Sequence, residues 1–240
     1  MPNHVQHVCV VMGSKSDIGA FKAAHVVDGN FCFNTIIPQP ESVKGTESST
    51  TSQLWFYALT GCFPNTGRFT PDSLRSFGCV PSNIKTACDL ETWLMEKHPK
   101  DREKGERSIQ ALRETGHPTW YEWCNANWGT KWGAYQYREQ AQSDNVLTFE
   151  FQTAWSFPKP VFEKLAAMYP GLTFDLKSFD EGRNFACVGQ INGRNDFAEV
   201  KATDELYEAV YGEKYVREEE EEEDEPEQVP LQVVQQKALT

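Results

Sequence analysis

Residues 119–135, TWYEWCNANWGTKWGAY, hold four of the chain's seven tryptophans and two of its eight tyrosines. Such a density suits a stacking platform for a nucleotide base, a grip for a peptide, or the core of a small domain. Spacing separates these readings. Trp120, Tyr121, Trp123, Cys124 and Trp128 fall at i, i+1, i+3, i+4 and i+8, which is one face of a helix. Pro118 suits its first turn and Gly129 its C-terminal stop. Packing against a sheet is therefore preferred for that face. The loop that follows is different: Asn127, Trp128, Thr130, Lys131 and Trp132 put donors beside two indole rings. They form a candidate site for a small ligand or nucleotide, against the simpler reading of a locked helix–strand turn. Arg183 and Arg194, each beside an Asn/Gly turn, could clamp a phosphate or carboxylate, against plain turn solubility.

Other chemistries find no support. His4 and His7 differ by an odd number, so on a strand they point to opposite faces and cannot share a metal. His25, His98 and His117 are isolated, and none of the seven cysteines has C-x-x-C spacing. Zinc and iron–sulfur sites need closely paired ligands, so no metal and no cofactor is expected. Cys124 lies on the aromatic face and reads as a buried, inert thiol. Cys62 and Cys79 fall in a Gly/Pro-rich segment and read as more exposed. No pair of carboxylates stands out as a catalytic couple.

These residues must be carried by regular elements. Val5–Met12 is β-branched and reads as a strand. A helix follows, with Ser16 as its cap and Ile18 and Phe21 inward. FCFNTIIP (31–38) reads as a second strand. A Ser/Thr-rich loop over 41–53 leads to an ambiguous stretch over 54–80. Helices are expected over 82–98 and 100–114, the second with Ile109 and Leu112 buried. A strand is expected over 132–138. Leu147, Phe149 and Phe151 alternate with polar residues, and Trp155 extends their face. Ser156 can cap a helix with Val161, Phe162, Leu165 and Met168 inward, closed by Gly171. Leu172, Phe174 and Leu176 make another strand. Asn192-Gly193 signals a hairpin between 184–191 and 194–200. A last helix covers 204–211, capped by Thr203.

This count gives an α+β sandwich: a mostly antiparallel sheet, helices on one face, and two strand–helix–strand units. The expected organisation is one domain over 1–215, interrupted by a helical insertion or connecting segment at 41–117, with a disordered acidic tail at 216–240.

The net charge is −12, unevenly spread. EEEEEEDEPE at 218–227 carries nine acids against only Arg217 and Lys237 in the tail, so the rest of the chain holds just five of the net negative charges. A net-negative body disfavours a phosphate backbone. No stretch has the roughly 20 apolar residues of a membrane span, and 1–13 lacks the pattern of a secretory signal. The expected setting is the cytoplasm, with reduced thiols.

Three blocks of the sequence resemble one family. The opening MPNHV with its helix ending FKAAH, the block WYEWCNANWGTKWGAY and the strand with its exit FEFQTAWSFPKPVFEKLAAMYPGLTF resemble the YubB ferredoxin-like family, over roughly 1–38 and 117–193. The family is found in phages, prophages and plasmids. The resemblance implies a ferredoxin-like α+β fold, no established enzymatic activity, and an accessory or host-interaction role in the host cytoplasm. Three functions follow in order: a non-enzymatic accessory protein binding a host or phage macromolecule, in one form to blunt a host defence system; a small-ligand or nucleotide binder using the 128–132 loop; and a nucleic-acid-binding module, which ranks last because it needs exposed sheet aromatics and a basic surround.

Overall fold

Strand β1 (His4–Met12) organises the molecule. In this computed structural model, which describes residues 3–61, 72 and 80–215, Val5, His7, Cys9 and Val11 alternate inward with no exposed surface. The chain leaves β1 through Gly13 and enters α1 (Lys15–His25) at once. Ser14, in extended conformation, accepts from the Asp17 backbone N–H and is the cap, rather than the expected Ser16. The apolar run after α1 does not make a long strand. Only β2 (Val26–Val27) and β3 (Asn30–Phe31) pair, and Phe33–Thr35 winds into a single 3-10 turn. Phe31, Phe33 and Ile36 are buried all the same. Their hydrophobicity reports burial and not sheet pairing, an ambiguity that any short apolar run carries.

Among the described residues, three helices come next: α2 (Thr50–Thr60), α3 (Ala87–Lys97) and α4 (Arg102–Thr115). α2 and α3 share a small core of Leu54, Trp55, Ala58, Leu90 and Leu94. The expected loop over 41–53 therefore yields to helix at Thr50. Helix α4 turns Gly105, Ser108 and Ala111 inward, while Leu112 is 37 % exposed, against the expectation for Ile109 and Leu112. The cause is close approach: a Cβ on Gly105 would stand 2.6 Å from the Trp55 Cβ. Only small residues fit where two helix backbones meet this tightly.

Helix α5 (Trp120–Asn127) then leads to β4 (Tyr135–Gln142), β5 (Val146–Ala154), α6 (Lys159–Met168), β6 (Thr173–Asp180), β7 (Ala186–Ile191), β8 (Ala198–Val200) and α7 (Asp204–Tyr211). The strand expected to open at residue 132 thus begins at Tyr135. The six-stranded sheet runs β4-β5-β1-β6-β7-β8 with every neighbouring pair antiparallel. β1 and β4 therefore flank β5 and run the same way, as β5 and β6 do about β1. Two interleaved split βαβ units result, which is the ferredoxin-like arrangement.

The register places Cys9 between Phe149 and Leu176, and Val11 between Leu147 and Phe174. Phe21 of α1 and Phe162 of α6 close over this layer. A short helix, α7, lies over the other face and covers Phe179 and Val8. Thr203 caps it, as its sequence suggests. Met168, expected inward on α6, is 42 % exposed because it falls at the helix end, past the last turn that meets the sheet. The β7–β8 hairpin is wider than its Asn-Gly signal implies: Ala186 pairs with Val200 and Val188 with Ala198, so 189–191 pair only with β6 and 192–197 form the loop. Asn192 instead points its amide at the carbonyls of Tyr169 and Leu172, tying that loop to the end of α6.

Candidate functional site

The exit of α5 and the exit of β5 meet. Gly129 adopts φ +77, which ends the helix, and its backbone lies so close to the start of α6 that a Cβ would meet the Pro160 Cδ at 2.9 Å. Ser156, expected as a helix cap, instead donates its hydroxyl to the Gly129 carbonyl at 2.5 Å, and Pro158 takes the cap position. Thr130 has no exposed surface and donates to the Trp132 carbonyl at 2.6 Å. These contacts lock the two loops together.

Two of the loop's candidate ligand residues, Trp128 and Thr130, are buried, and a third, Asn127, is tied to its own helix. Trp128 is 7 % exposed, lies edge-on to Trp123 and Phe33, and donates its indole N–H to the Ile37 carbonyl. Asn127 donates back to the Trp123 carbonyl of its own helix. Thr130 holds the turn. Trp123 and Cys124 belong to the main core, as their spacing suggests. Lys131 and Trp132 are half-buried, and they meet a residue from another element, Trp155. The Lys131 ammonium stands 4.8 Å from the Trp132 ring centroid and 4.5 Å from that of Trp155. Tyr121 abuts Trp155 edge-on at 5.9 Å. Among the described residues, Lys131 makes no ion pair, so the two rings are its neighbours of note.

Trp155 departs from expectation. Strand alternation would carry it inward after Phe149 and Phe151, but its φ is +76 and it is 36 % exposed. A bulky residue at positive φ is a genuine outlier. Its backbone N–H is held by the Asn3 carbonyl, so the end of the ladder enforces the turn. Such strain collects at binding sites. One residue further on, Ser156 and Phe157 begin a recess of about 430 Å³, walled by Phe185, Phe197 and Cys187 with Lys159 and Glu199 at its edges.

The two arginines lie elsewhere and apart, at opposite ends of β7. Arg183 pairs with Asp204 and stacks over Tyr215 at 4.1 Å. Arg194 pairs with Asp196 at 2.7 Å. Each thus already faces a carboxylate, and they do not converge on one anion.

A second recess, about 510 Å³, opens on the other sheet face between Gln6, Gln136, Arg138, Glu150, Gln152 and Tyr211. The Glu150 carboxylate there is engaged by Arg138 and Gln140.

The buried titratable groups serve the fold. His7 and His4 do point to opposite faces. Thr153 donates its hydroxyl to the Ser156 carbonyl, so its oxygen accepts from His7 Nε2, and His7 Nδ1 accepts from Ser178. That assignment satisfies a neutral ring, and a second proton on Nδ1 would face the Ser178 hydroxyl proton. Desolvation lowers the His7 pKa to about 3. His25 is held between Thr35 and Tyr169, and burial lowers its pKa too. Burial raises Cys124 to about 12 and Cys187 to about 11, and Cys9 well above the usual thiol value, so none is a ready nucleophile. Cys62 and Cys79 lie outside the described residues, as does the tail from residue 216. Among the described residues, no group of three or more His, Cys, Asp or Glu side chains could hold a metal ion. Nor is any described helix long and apolar enough to cross a membrane.

The topology and the joined loops define a ferredoxin-like α+β domain with an aromatic face at one end. The family comparison agrees with that class. Residues 131–229 match the family model described as the ferredoxin-like domain in Api92-like protein. Among solved structures, the chain is similar to the crystal structure of protein api92 from Yersinia pseudotuberculosis, at 11 % identity and a TM-score of 0.43, covering 85 % of this chain and 99 % of that one. No curated protein matches.

Sequence reasoning reached Lys131 and Trp132 but missed Trp155, Tyr121 and the three phenylalanines of the recess. The one available signal was the Trp-Ser-Phe-Pro run at 155–158, where alternation stops before a proline.

Proposed function

We propose that this chain is a non-enzymatic accessory protein that acts by binding a macromolecular partner, and that the Trp132–Lys131–Trp155 face makes the contact. The observation that carries this reading is Trp155: a large aromatic held outward at a strained backbone angle, beside a second, half-buried indole and an apolar recess. Tryptophan is enriched where interfaces concentrate their binding energy. The resemblance to the YubB family supports a phage, prophage or plasmid setting, with a host or phage protein as the partner and the cytoplasm as the compartment. Action against a host defence system fits that setting.

A second reading is small-ligand binding. It is favoured by the recess at Phe157, Phe185 and Phe197, whose volume falls within the range of ligand pockets, about 300–1,000 Å³. Direct nucleic-acid binding remains the least supported, because Phe149 and Phe151 have no exposed surface to stack a base.

The test is affinity purification of the tagged full-length chain from bacterial lysate, beside the Trp132→Ala/Trp155→Gly variant. A stoichiometric protein held by the wild type and lost from the variant supports the proposal. Equal retention by both chains moves the contact off this face. Retention by neither overturns the proposal and turns attention to ligand panels.

A further inference from the structure

The Lys131 ammonium occupies a slot between two indole rings that come from different elements, Trp132 from the exit of α5 and Trp155 from the exit of β5. Both distances lie within the roughly 6 Å at which a ring quadrupole attracts a cation. We infer that this slot is a cation-recognition site, that its ligand is the ammonium or guanidinium of a basic side chain on the partner protein, and that Lys131 is its intramolecular plug. This deepens the proposed function, on which it rests, by naming the chemistry that the aromatic face selects.

Three observations converge. The slot already holds a cation, so its geometry suits one. Among the described residues that cation has no carboxylate to retain it, unlike Lys15, Lys22, Lys44, Lys104 and Lys159, which all have acidic partners. Only the rings would be surrendered when another cation enters. Finally, Trp155 forms its wall, with its backbone at φ +76 and Tyr121 abutting its ring edge-on. The chain's charge of −12 favours the approach of a basic partner. The recess beginning at Ser156 lies one residue along the chain from this wall. A segment with a basic side chain and a neighbouring apolar one would engage both.

Displacing the plug costs the cation–π contact that Lys131 makes. At ~0.5–2 kcal/mol, that is about a 2- to 30-fold weakening of any competing cation. The test uses full-length protein and tetramethylammonium chloride as the probe, with potassium chloride at matched ionic strength as the control. Binding is read from the upfield shift of the probe's methyl protons and from tryptophan fluorescence. Lys131→Ala is expected to bind the probe about 2- to 30-fold more tightly than wild type. Lys131→Ala/Trp155→Gly is expected to lose that binding. Glycine adopts the +76 backbone freely, so its loss of binding reports the ring and not the fold. No binding by Lys131→Ala, or equal binding by the Trp155→Gly double variant, overturns the slot. A partner protein captured by wild type and released by Trp132→Ala, while tetramethylammonium fails, would leave the docking face standing and reject the cation.

Discussion

Acidification from pH 7 to pH 5 should destabilise this protein through its buried histidines, His7 first. Its ring is fully buried, stacked on Phe151 at 4.5 Å, and satisfied as a neutral imidazole by Ser178 and Thr153. Burial lowers its folded pKa to about 3, from the ordinary imidazole value of 6.5. Below pH 6.5 the unfolded chain binds a proton at this site and the folded chain does not. Stability is therefore intact above the unfolded value and falls as the pH drops towards 3. At pH 5 the unfolded value is 1.5 pH units away, and each unit is worth about 1.4 kcal/mol, so His7 alone removes about 2 kcal/mol. His25 acts in the same direction.

The perturbation is His7→Phe, which keeps a ring on Phe151 but cannot titrate. It costs about 1–3 kcal/mol at pH 7, since Ser178 loses its acceptor. Urea unfolding at pH 7 and pH 5, followed by tryptophan fluorescence, gives the stability loss of each protein. The wild type should lose about 2 kcal/mol more than the variant over that interval. Equal losses would refute the reasoning, because the pH dependence would then not come from a neutral His7.

Further outcomes follow from packing and burial. Gly105→Ala should destabilise by about 1–3 kcal/mol in urea unfolding, because its methyl would enter the space of the Trp55 Cβ. Phe151→Ala, at a site with no exposed surface, should cost about 3–5 kcal/mol by the same assay. In native protein at pH 8, a thiol reagent should label the exposed Cys88 and leave Cys9, Cys124 and Cys187 until urea is added; mass mapping of the labelled peptides checks this. Glu150→Ala should free Arg138 and leave the fold intact, measured as a change in stability within about 1–3 kcal/mol, since only one side chain of that pair is buried.

What the sequence determined by itself was whatever local physics controls. The period of two at Leu147, Phe149 and Phe151, the cap at Thr203, the helical face of Trp123, Cys124 and Trp128, and the stop at Gly129 depend on neighbours within one turn or one strand, and all appear where the sequence puts them. The tertiary structure decided which surfaces meet. The inward face of α4 is small because Trp55 of a distant helix presses on Gly105. Trp155 turns outward because Asn3 and the end of β1 hold its backbone, which no alternation rule contains. Lys131 finds its second ring 24 positions away, across the whole of β4 and β5. Side-chain periodicity is a property of one element, whereas a binding slot is a property of two elements brought together, and only folding brings them there.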